Sequence, residues 1–301
     1  MSTATHITLR QIERYWIHRL GDKLLLWVYA RLFAVMLALF LCFPKQQRMS
    51  HNNGIGAAGK LRIVDNPEFP AHPFFAPGRE FPVRIRHASA TFLDDAMNCI
   101  RSMSIKLSDH HFKSPFDIEM NSGEVSLFWS AASFLKFARL RGEKYGIEYR
   151  DYNRKYPNGL AGSMAAGRRH ATSFHNIHYY CKTPFLYMGS DNIKRYAKYR
   201  VIPADNEPES GKEEHPSEWD QCNQRILPHE TRGRNFLKYE YEDRIRREGA
   251  RYRLQIQTHP ASDNEDPEVF NNMIVWDEDA HPWHDLGIIT IDRTLGWRES
   301  T

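Results

Sequence analysis

Short stretches in which apolar and polar residues alternate recur along the chain beyond residue 60. In 81–87, Val83 and Ile85 lie on one side of an extended chain, and Arg84 and Arg86 lie on the other. The same alternation occurs at 104–107, 196–202 and 251–257, and further strands are expected at 60–64, 116–120 and 286–291. A period of two with one polar face is typical of antiparallel strands that are half-buried on a core. Several such strands separated by turn residues predict a barrel or a sandwich.

Two segments show helical spacing and interrupt the strands. The segment Ala131–Arg141 repeats apolar residues every three to four positions, and Asn235–Glu248 does the same. The second begins at a residue that favours helix N-termini and is followed by Gly249, a common helix end. The polar, proline-containing stretch 205–230 predicts a long surface loop.

A long apolar run precedes the strands. Residues 24–43 are almost wholly apolar, and Arg31 is their only charge. A helix of this length just spans a bilayer core, so a membrane anchor, a helix on the membrane surface and a buried helix all remain open. We therefore divide the chain into a segment 1–47 with an apolar helix at 24–43 and a domain at 48–301, located at a membrane or in the cytoplasm.

Composition narrows the range of functions. The net charge is only +4 and the basic residues are spread along the chain, so we expect no nucleic-acid partner. The four cysteines form no CxxC pair, which argues against a zinc site built on cysteines and against a disulfide framework. His170, His175 and His178 are spaced as in a loop and have no carboxylate pair near them in sequence, so we predict no metal site.

The strongest candidate for chemistry is a histidine followed by glycines. His51 precedes Gly54, Gly56 and Gly59. Glycine permits positive φ and lets the backbone pass close to a ligand. An imidazole moves protons near neutral pH. We therefore predict a glycine loop that holds His51 next to a bound ligand, with a strand starting at Lys60.

Several motifs together are similar to those of the catalase superfamily. The segment RMSHNNGIGAAG at 48–59 resembles the distal-histidine segment of that superfamily. In the family's order there follow FPVRIRHA (81–88), RSMSIKL (101–107) and SPFDIEMNSG (114–123). Three later motifs are more similar to the allene oxide synthase branch, which acts on fatty-acid hydroperoxides: YYCKTPF (179–185), YRVIPAD (199–205) and PWHDL (282–286). Ser50, a hydroxyl residue before the histidine, also favours this branch.

The resemblance implies an α+β fold, an antiparallel β-barrel of the catalase type with added helices, and a haem lying beneath His51 inside the closed sheet. His51 would be the base that moves the peroxide proton, and Asn121 would donate a hydrogen bond to the bound peroxide. Arg48 and Arg86 would pair with the haem propionates, and Phe134 would stack on the porphyrin. The implied substrate is a lipid hydroperoxide or hydrogen peroxide.

One family feature has no match in this sequence. Haem iron in this superfamily is bound on its other side by a tyrosinate, from a helix that follows the last barrel strands. Residues 292–301 contain no tyrosine. We therefore expect either a C-terminally truncated haem enzyme or a haem-free, inactive barrel that is tethered to a membrane and serves in binding or scaffolding.

Overall fold

Nine β-strands and three α-helices make up the regular structure of the described residues. The computed structural model describes residues 20–41, 51, 53–68, 70–90, 94–110, 113–128, 157–212, 226, 229–262 and 266–296. The strands are β1 Asn53–Ile63, β2 Glu80–Ser89, β3 Cys99–Lys106, β4 Asp117–Ser122, β5 Gly167–Arg168, β6 Tyr179–Met188, β7 Lys194–Pro203, β8 Ala250–Pro260 and β9 Trp283–Thr294. The helices are α1 Leu20–Leu41, α2 Pro157–Ala166 and α3 Phe236–Arg247, with a short 3-10 turn at Pro267–Phe270.

Eight of the strands close into an antiparallel barrel. Neighbours follow the order β2-β1-β9-β8-β7-β6-β4-β3, and β3 pairs again with β2. The two-residue strand β5 is added to the outside of this ring through β3. The predicted antiparallel barrel is confirmed. Predicted strands overlap β1, β2, β3, β4, β7, β8 and β9, whereas β6 was not predicted.

The barrel interior is filled by side chains from alternate positions of every strand. On β2 these are Val83, Ile85 and His87, whereas Arg84 and Arg86 lie on the outer face. A barrel of eight strands is filled by its own side chains or holds one small ligand. The predicted position of a haem inside the closed sheet stays a prediction.

Helix α3 covers part of the core. It buries Leu237, Tyr241 and Ile245, which gives the apolar face predicted for Asn235–Glu248. The helix ends where Gly249 adopts a positive φ of 75° and its amide bonds back to Arg244. This is the left-handed ending that glycine permits without steric cost.

The predicted glycine loop is a strand instead. Gly54, Gly56 and Gly59 all belong to β1, which begins seven residues before the predicted strand start at Lys60. A Cβ added to Gly59 would lie 1.9 Å from the carbonyl oxygen of Thr290. Glycine is needed there because the neighbouring strand passes too close for any side chain.

The apolar run at 24–43 overlaps α1. Several of its large side chains are exposed: Leu24, Trp27, Val28, Tyr29, Leu32, Val35 and Leu39. In the described part of the chain, no helix has both the length and the apolar character that crossing a membrane requires. The predicted helix 131–141 lies outside the described residues, as does most of the predicted loop 205–230.

Candidate functional site

The outer face of the wall formed by β1 to β4 carries a row of small residues that ends at an amide. Gly54 pairs with Ala88, Ala88 with Ser102, and Ser102 with Asn121. Because register partners on antiparallel strands lie side by side, these four residues form one line across the wall. Three small residues followed by one asparagine leave a flat strip with a hydrogen-bonding group at its edge.

His51 lies just before β1, at the other end of this strip. It is half-buried, and its φ of 58° is in the left-handed region. That conformation is uncommon for residues other than glycine and persists where the surroundings impose it. Here the guanidinium of Arg86 donates from Nη2 to the His51 carbonyl oxygen at 2.7 Å.

Gly54 makes this contact sterically feasible. A Cβ at Gly54 would lie 2.9 Å from Nη2 of Arg86 and 2.4 Å from the carbonyl oxygen of His87. The Arg86 side chain therefore passes directly over Gly54 on its way to His51. A larger residue at 54 would displace either the arginine or the strand.

A buried ionic network on the inner side of the same strands anchors the segment that carries His51. Arg101 is fully buried and donates to the carbonyl oxygens of Asp95 at 2.6 Å and Met97 at 2.9 Å. Asp95 accepts in turn from the Asn53 side chain at 3.1 Å and from the Leu237 amide at 3.1 Å. Burial raises the pKa of the Asp95 carboxyl, against the opposing charge of Arg101. The network ties β1, β3 and α3 together two residues away from His51.

Arg101 belongs to the motif RSMSIKL, but its role in this network was not predicted from the sequence. Its position in the strand could have indicated the role. Arg101, Met103 and Ile105 are two residues apart, so all three side chains face inward. A charged residue in the apolar phase of a strand needs a buried partner.

An aromatic cleft borders the strip beyond Asn121. Tyr180 pairs with Asn121 across β4 and β6, and its ring lies 6.4 Å from that of Trp283. The ammonium group of Lys198 lies 4.3 Å from the ring of Trp276 in the same cleft. Burial lowers the pKa of Lys198 to about 8.

Three of the five predicted site residues lie on or beside one wall of the barrel. These are His51, Arg86 and Asn121, and the roles predicted for them stay predictions. Arg48 and Phe134 lie outside the described residues. Arg86 was predicted to pair with a propionate. The structure shows a further contact that was not predicted, its hydrogen bond to the His51 carbonyl oxygen.

The residues present fit one half of a haem site. The wall offers a flat strip of small residues, an imidazole at one end and an amide at the other. For the opposite side, the tyrosines within the described ranges lie at or before Tyr252, ahead of β9. Burial raises the pKa of several of their phenols, which favours the protonated form: Tyr179, Tyr180, Tyr187, Tyr199, Tyr241 and Tyr252.

Two known proteins are similar to this chain in sequence. The chain is 36% identical over 258 residues to the allene oxide synthase-lipoxygenase protein of Plexaura homomalla, an alignment that covers 83% of this chain and 24% of the relative. It is 25% identical over 285 residues to a linolenate 9R-lipoxygenase of Nostoc sp., covering 91% of this chain and 34% of the relative. The chain thus spans about a quarter to a third of the length of these relatives. No protein-family model matches it.

Two solved catalase structures have a similar fold. A fungal catalase superposes with a TM-score of 0.62 over 86% of this chain and 52% of the catalase. A bacterial catalase superposes with a TM-score of 0.65 over 86% of this chain and 51% of the catalase. Both are 15% identical in sequence, so they establish architecture alone. The chain has the catalase-like fold and is related to the allene oxide synthase-lipoxygenase protein.

Proposed function

We propose that this chain is a haem-dependent protein that transforms organic hydroperoxides, in particular those of fatty acids. The observation that carries the proposal is the position of His51, held in a left-handed conformation by Arg86 at one end of a strip that ends at Asn121. The relative that shares 36% identity is named for allene oxide synthase activity, which supports a hydroperoxide as the substrate.

A haem bound along the strip would supply an iron centre at which the O–O bond of the peroxide is cleaved. His51 would accept the proton of the hydroperoxide and return it to the departing oxygen, as a general base and then a general acid. The amide of Asn121 would donate a hydrogen bond to the bound peroxide and stabilise the charge that develops on its oxygens. Arg86 fixes the backbone of His51, so that the imidazole is presented in one orientation. Arg48 and Arg86 remain the residues proposed to hold the propionates, and Phe134 the residue proposed to stack on the ring.

Two features fit an apolar substrate of membrane origin. The aromatic cleft beside Asn121 offers apolar surface, and Lys198 supplies a cation at its edge. Helix α1 exposes Leu24, Trp27 and Leu32, and we propose that it lies on a lipid surface. Sedimentation with lipid vesicles tests this, because removal of residues 1–47 should abolish co-sedimentation, and unchanged co-sedimentation would contradict it.

A catalytically inactive barrel is the second candidate. The observation that favours it is that burial raises the pKa of Tyr179, Tyr241 and Tyr252, which disfavours a tyrosinate that could hold haem iron. A protein of this kind would keep the barrel and its anchoring network and would need neither His51 nor Asn121 for its function.

The test combines haem binding with turnover. The full chain is titrated with haem and followed by its Soret absorbance, and then supplied with a fatty-acid hydroperoxide or with hydrogen peroxide. We expect stoichiometric haem binding and faster turnover of the fatty-acid hydroperoxide. The His51→Ala variant should bind haem and lose roughly 10²–10⁴-fold in turnover, the usual contribution of a positioned proton-transfer group.

His229→Ala is the matched control, because His229 is an exposed histidine far along the sequence from the strip. It should retain full turnover. Absence of a Soret band after haem titration of folded protein would favour the inactive barrel. Equal turnover by the wild type and His51→Ala would remove His51 from the mechanism.

A further inference from the structure

The fold places two carboxylates beside a histidine that looks isolated in the sequence. His175 precedes β6, whereas Asp205 and Glu207 follow the end of β7, about thirty residues later. Nε2 of His175 lies 3.6 Å from Oδ2 of Asp205 and 4.0 Å from Oε2 of Glu207. The three atoms all lie within 4.8 Å of one another.

These separations leave space for an ion. They are too long for hydrogen bonds, which require about 2.7–3.2 Å. Bonds of about 2.0–2.2 Å from one cation to nitrogen and oxygen ligands place those ligands roughly 3–4 Å apart. The three side chains therefore have the spacing of ligands around a shared centre, with no direct bond between the imidazole and either carboxylate.

Other contacts hold both carboxylates in this orientation. Oδ1 of Asp205 accepts a hydrogen bond from the Glu207 amide at 3.1 Å, which leaves Oδ2 facing the imidazole. Oε1 of Glu207 accepts from the Asn176 side chain at 3.4 Å, and Asn176 also donates to the Thr172 hydroxyl at 2.8 Å. Supporting bonds of this kind are what orient ligands at metal centres.

The histidine is held rigidly beside the two carboxylates. Its side chain is only 3% exposed, and its ring lies 5.0 Å from the ring of Tyr252. Nδ1 of the buried ring has no hydrogen-bond partner among the described residues, and Nε2 faces the Asp205 carboxylate at 3.6 Å.

The charge around the cluster also favours a cation. Arg244 lies 3.7 Å from Glu207, but it is shared with Glu240 at 3.1 Å and Glu248 at 3.6 Å. One guanidinium therefore faces three carboxylates, and Asp205 adds a fourth negative charge beside it. A bound divalent cation would compensate this excess.

We propose that His175, Asp205 and Glu207 bind one divalent cation of the zinc or manganese type. One imidazole and two carboxylates suit these ions better than Ca²⁺, which takes oxygen ligands alone and more of them. The Asp205 side chain is 60% exposed, so water can complete the coordination. The site joins the segment before β6 to the segment after β7 and is independent of the proposed haem function.

The experiment measures binding of the metal itself. The full chain is treated with a chelator, dialysed, and titrated with Zn²⁺, Mn²⁺ or Ca²⁺ by calorimetry, with thermal unfolding measured in parallel. We expect about one equivalent of Zn²⁺, a weaker response to Ca²⁺, and an unfolding midpoint raised by roughly 5 °C at saturating Zn²⁺. Asp205→Asn and Glu207→Gln should each weaken Zn²⁺ binding at least about tenfold.

Asp243→Asn is the matched control, because Asp243 is a carboxylate of α3 paired with Arg246 and Arg247. It should bind Zn²⁺ like the wild type. Circular dichroism verifies that each variant is folded, and the exposed position of Asp205 makes its variant the safer one. No binding by the wild type, or wild-type binding by both site variants, overturns the proposal. Tighter binding of Ca²⁺ than of Zn²⁺ overturns the assignment of the ion type.

Discussion

Polar residues on the inner and outer faces of the same barrel wall lie in different environments. On β2, Arg86 faces outward and is half-buried, while its neighbour His87 faces inward and is completely buried. On β3, Ser102 belongs to the outer strip, and its neighbour Arg101 lies inside with no exposed surface. Successive residues of one strand thus enter two different environments, as the pleat requires.

The inner and outer polar residues also differ in the contacts that they make. Inside, Arg101 bonds to main-chain oxygens and faces the Asp95 carboxylate 3.8 Å away, so its charge serves to hold segments together. Outside, Arg86 donates across Gly54 to the backbone of His51 and so holds the edge of the strip that contains Ala88 and Ser102. We infer that the inner polar residues serve stability and the outer ones serve the proposed chemistry, and each variant below tests one side of that division.

The largest change in the free energy of unfolding is expected for a variant of Arg101, on the inner face of the barrel. Arg101→Met should lower the free energy of unfolding by about 3–5 kcal/mol, because it leaves the Asp95 carboxylate buried without its cation. Chemical denaturation measures this loss. Lys60→Met is the control: Lys60 and Glu80 form an ion pair at 3.9 Å with side chains 70% and 53% exposed, and such pairs contribute about 0–1 kcal/mol. Equal losses in the two variants would contradict the structural role of Arg101.

This division was only partly predictable from the sequence. Alternation located β2, β7 and β8, because each has one polar and one apolar face. It failed at β1, whose glycines resemble a loop when the neighbouring strands are not known. It does not give the ligand position, because motifs identify residues but not the face of the sheet on which they lie.

Contacts between segments that are distant in the sequence could not be predicted without knowing which strands pair. His175 was dismissed as a metal ligand because no carboxylate pair lies near it in sequence. The pairing of β6 with β7 places the ends of these strands side by side and brings Asp205 and Glu207 to the imidazole. Likewise, only the pairing of β1 with β2 reveals that Arg86 reaches the His51 carbonyl.

A second inner residue should show its burial as a dependence of stability on pH. Burial, followed by the charges of His175 and Arg86, lowers the pKa of His87 to about 3. An unfolded histidine titrates near pH 6.5. Between these values the unfolded chain binds a proton that the folded chain does not, so stability falls as the pH drops below about 6.5.

His87→Leu should remove this contribution. The wild type minus variant difference in unfolding free energy should be flat above pH 6.5 and fall by up to about 1.4 kcal/mol per pH unit below it. Denaturation at pH 8, 6.5 and 5 gives the slope. His229→Leu should leave the profile unchanged, because His229 is exposed and stays in water on folding. A difference that is constant from pH 8 to pH 5 would show that His87 binds protons equally in the folded and unfolded chains, and would contradict the effect of burial on its pKa.

The smallest effect on stability, and the most informative for function, is expected on the outer face. Arg86→Met removes the bond to the His51 carbonyl and should lower stability by only about 1.5 kcal/mol, the contribution of one hydrogen bond from a charged donor. Turnover of the hydroperoxide should fall about tenfold or more, because His51 can then leave its left-handed conformation and the imidazole loses its fixed direction. Amide exchange in the peptide 48–56 should speed up at the same time.

Arg62→Met is the control for this variant, because Arg62 is exposed near the far end of β1 and should change neither turnover nor exchange. Arg86→Lys sharpens the test further. Lysine keeps the positive charge but has no planar fork to lie across Gly54 and reach the His51 oxygen. If positioning of His51 is what matters, Arg86→Lys should resemble Arg86→Met in turnover and in amide exchange. If Arg86→Lys retains full turnover while its exchange is fast, Arg86 acts only through its charge, and the outer face does not depend on the geometry of His51.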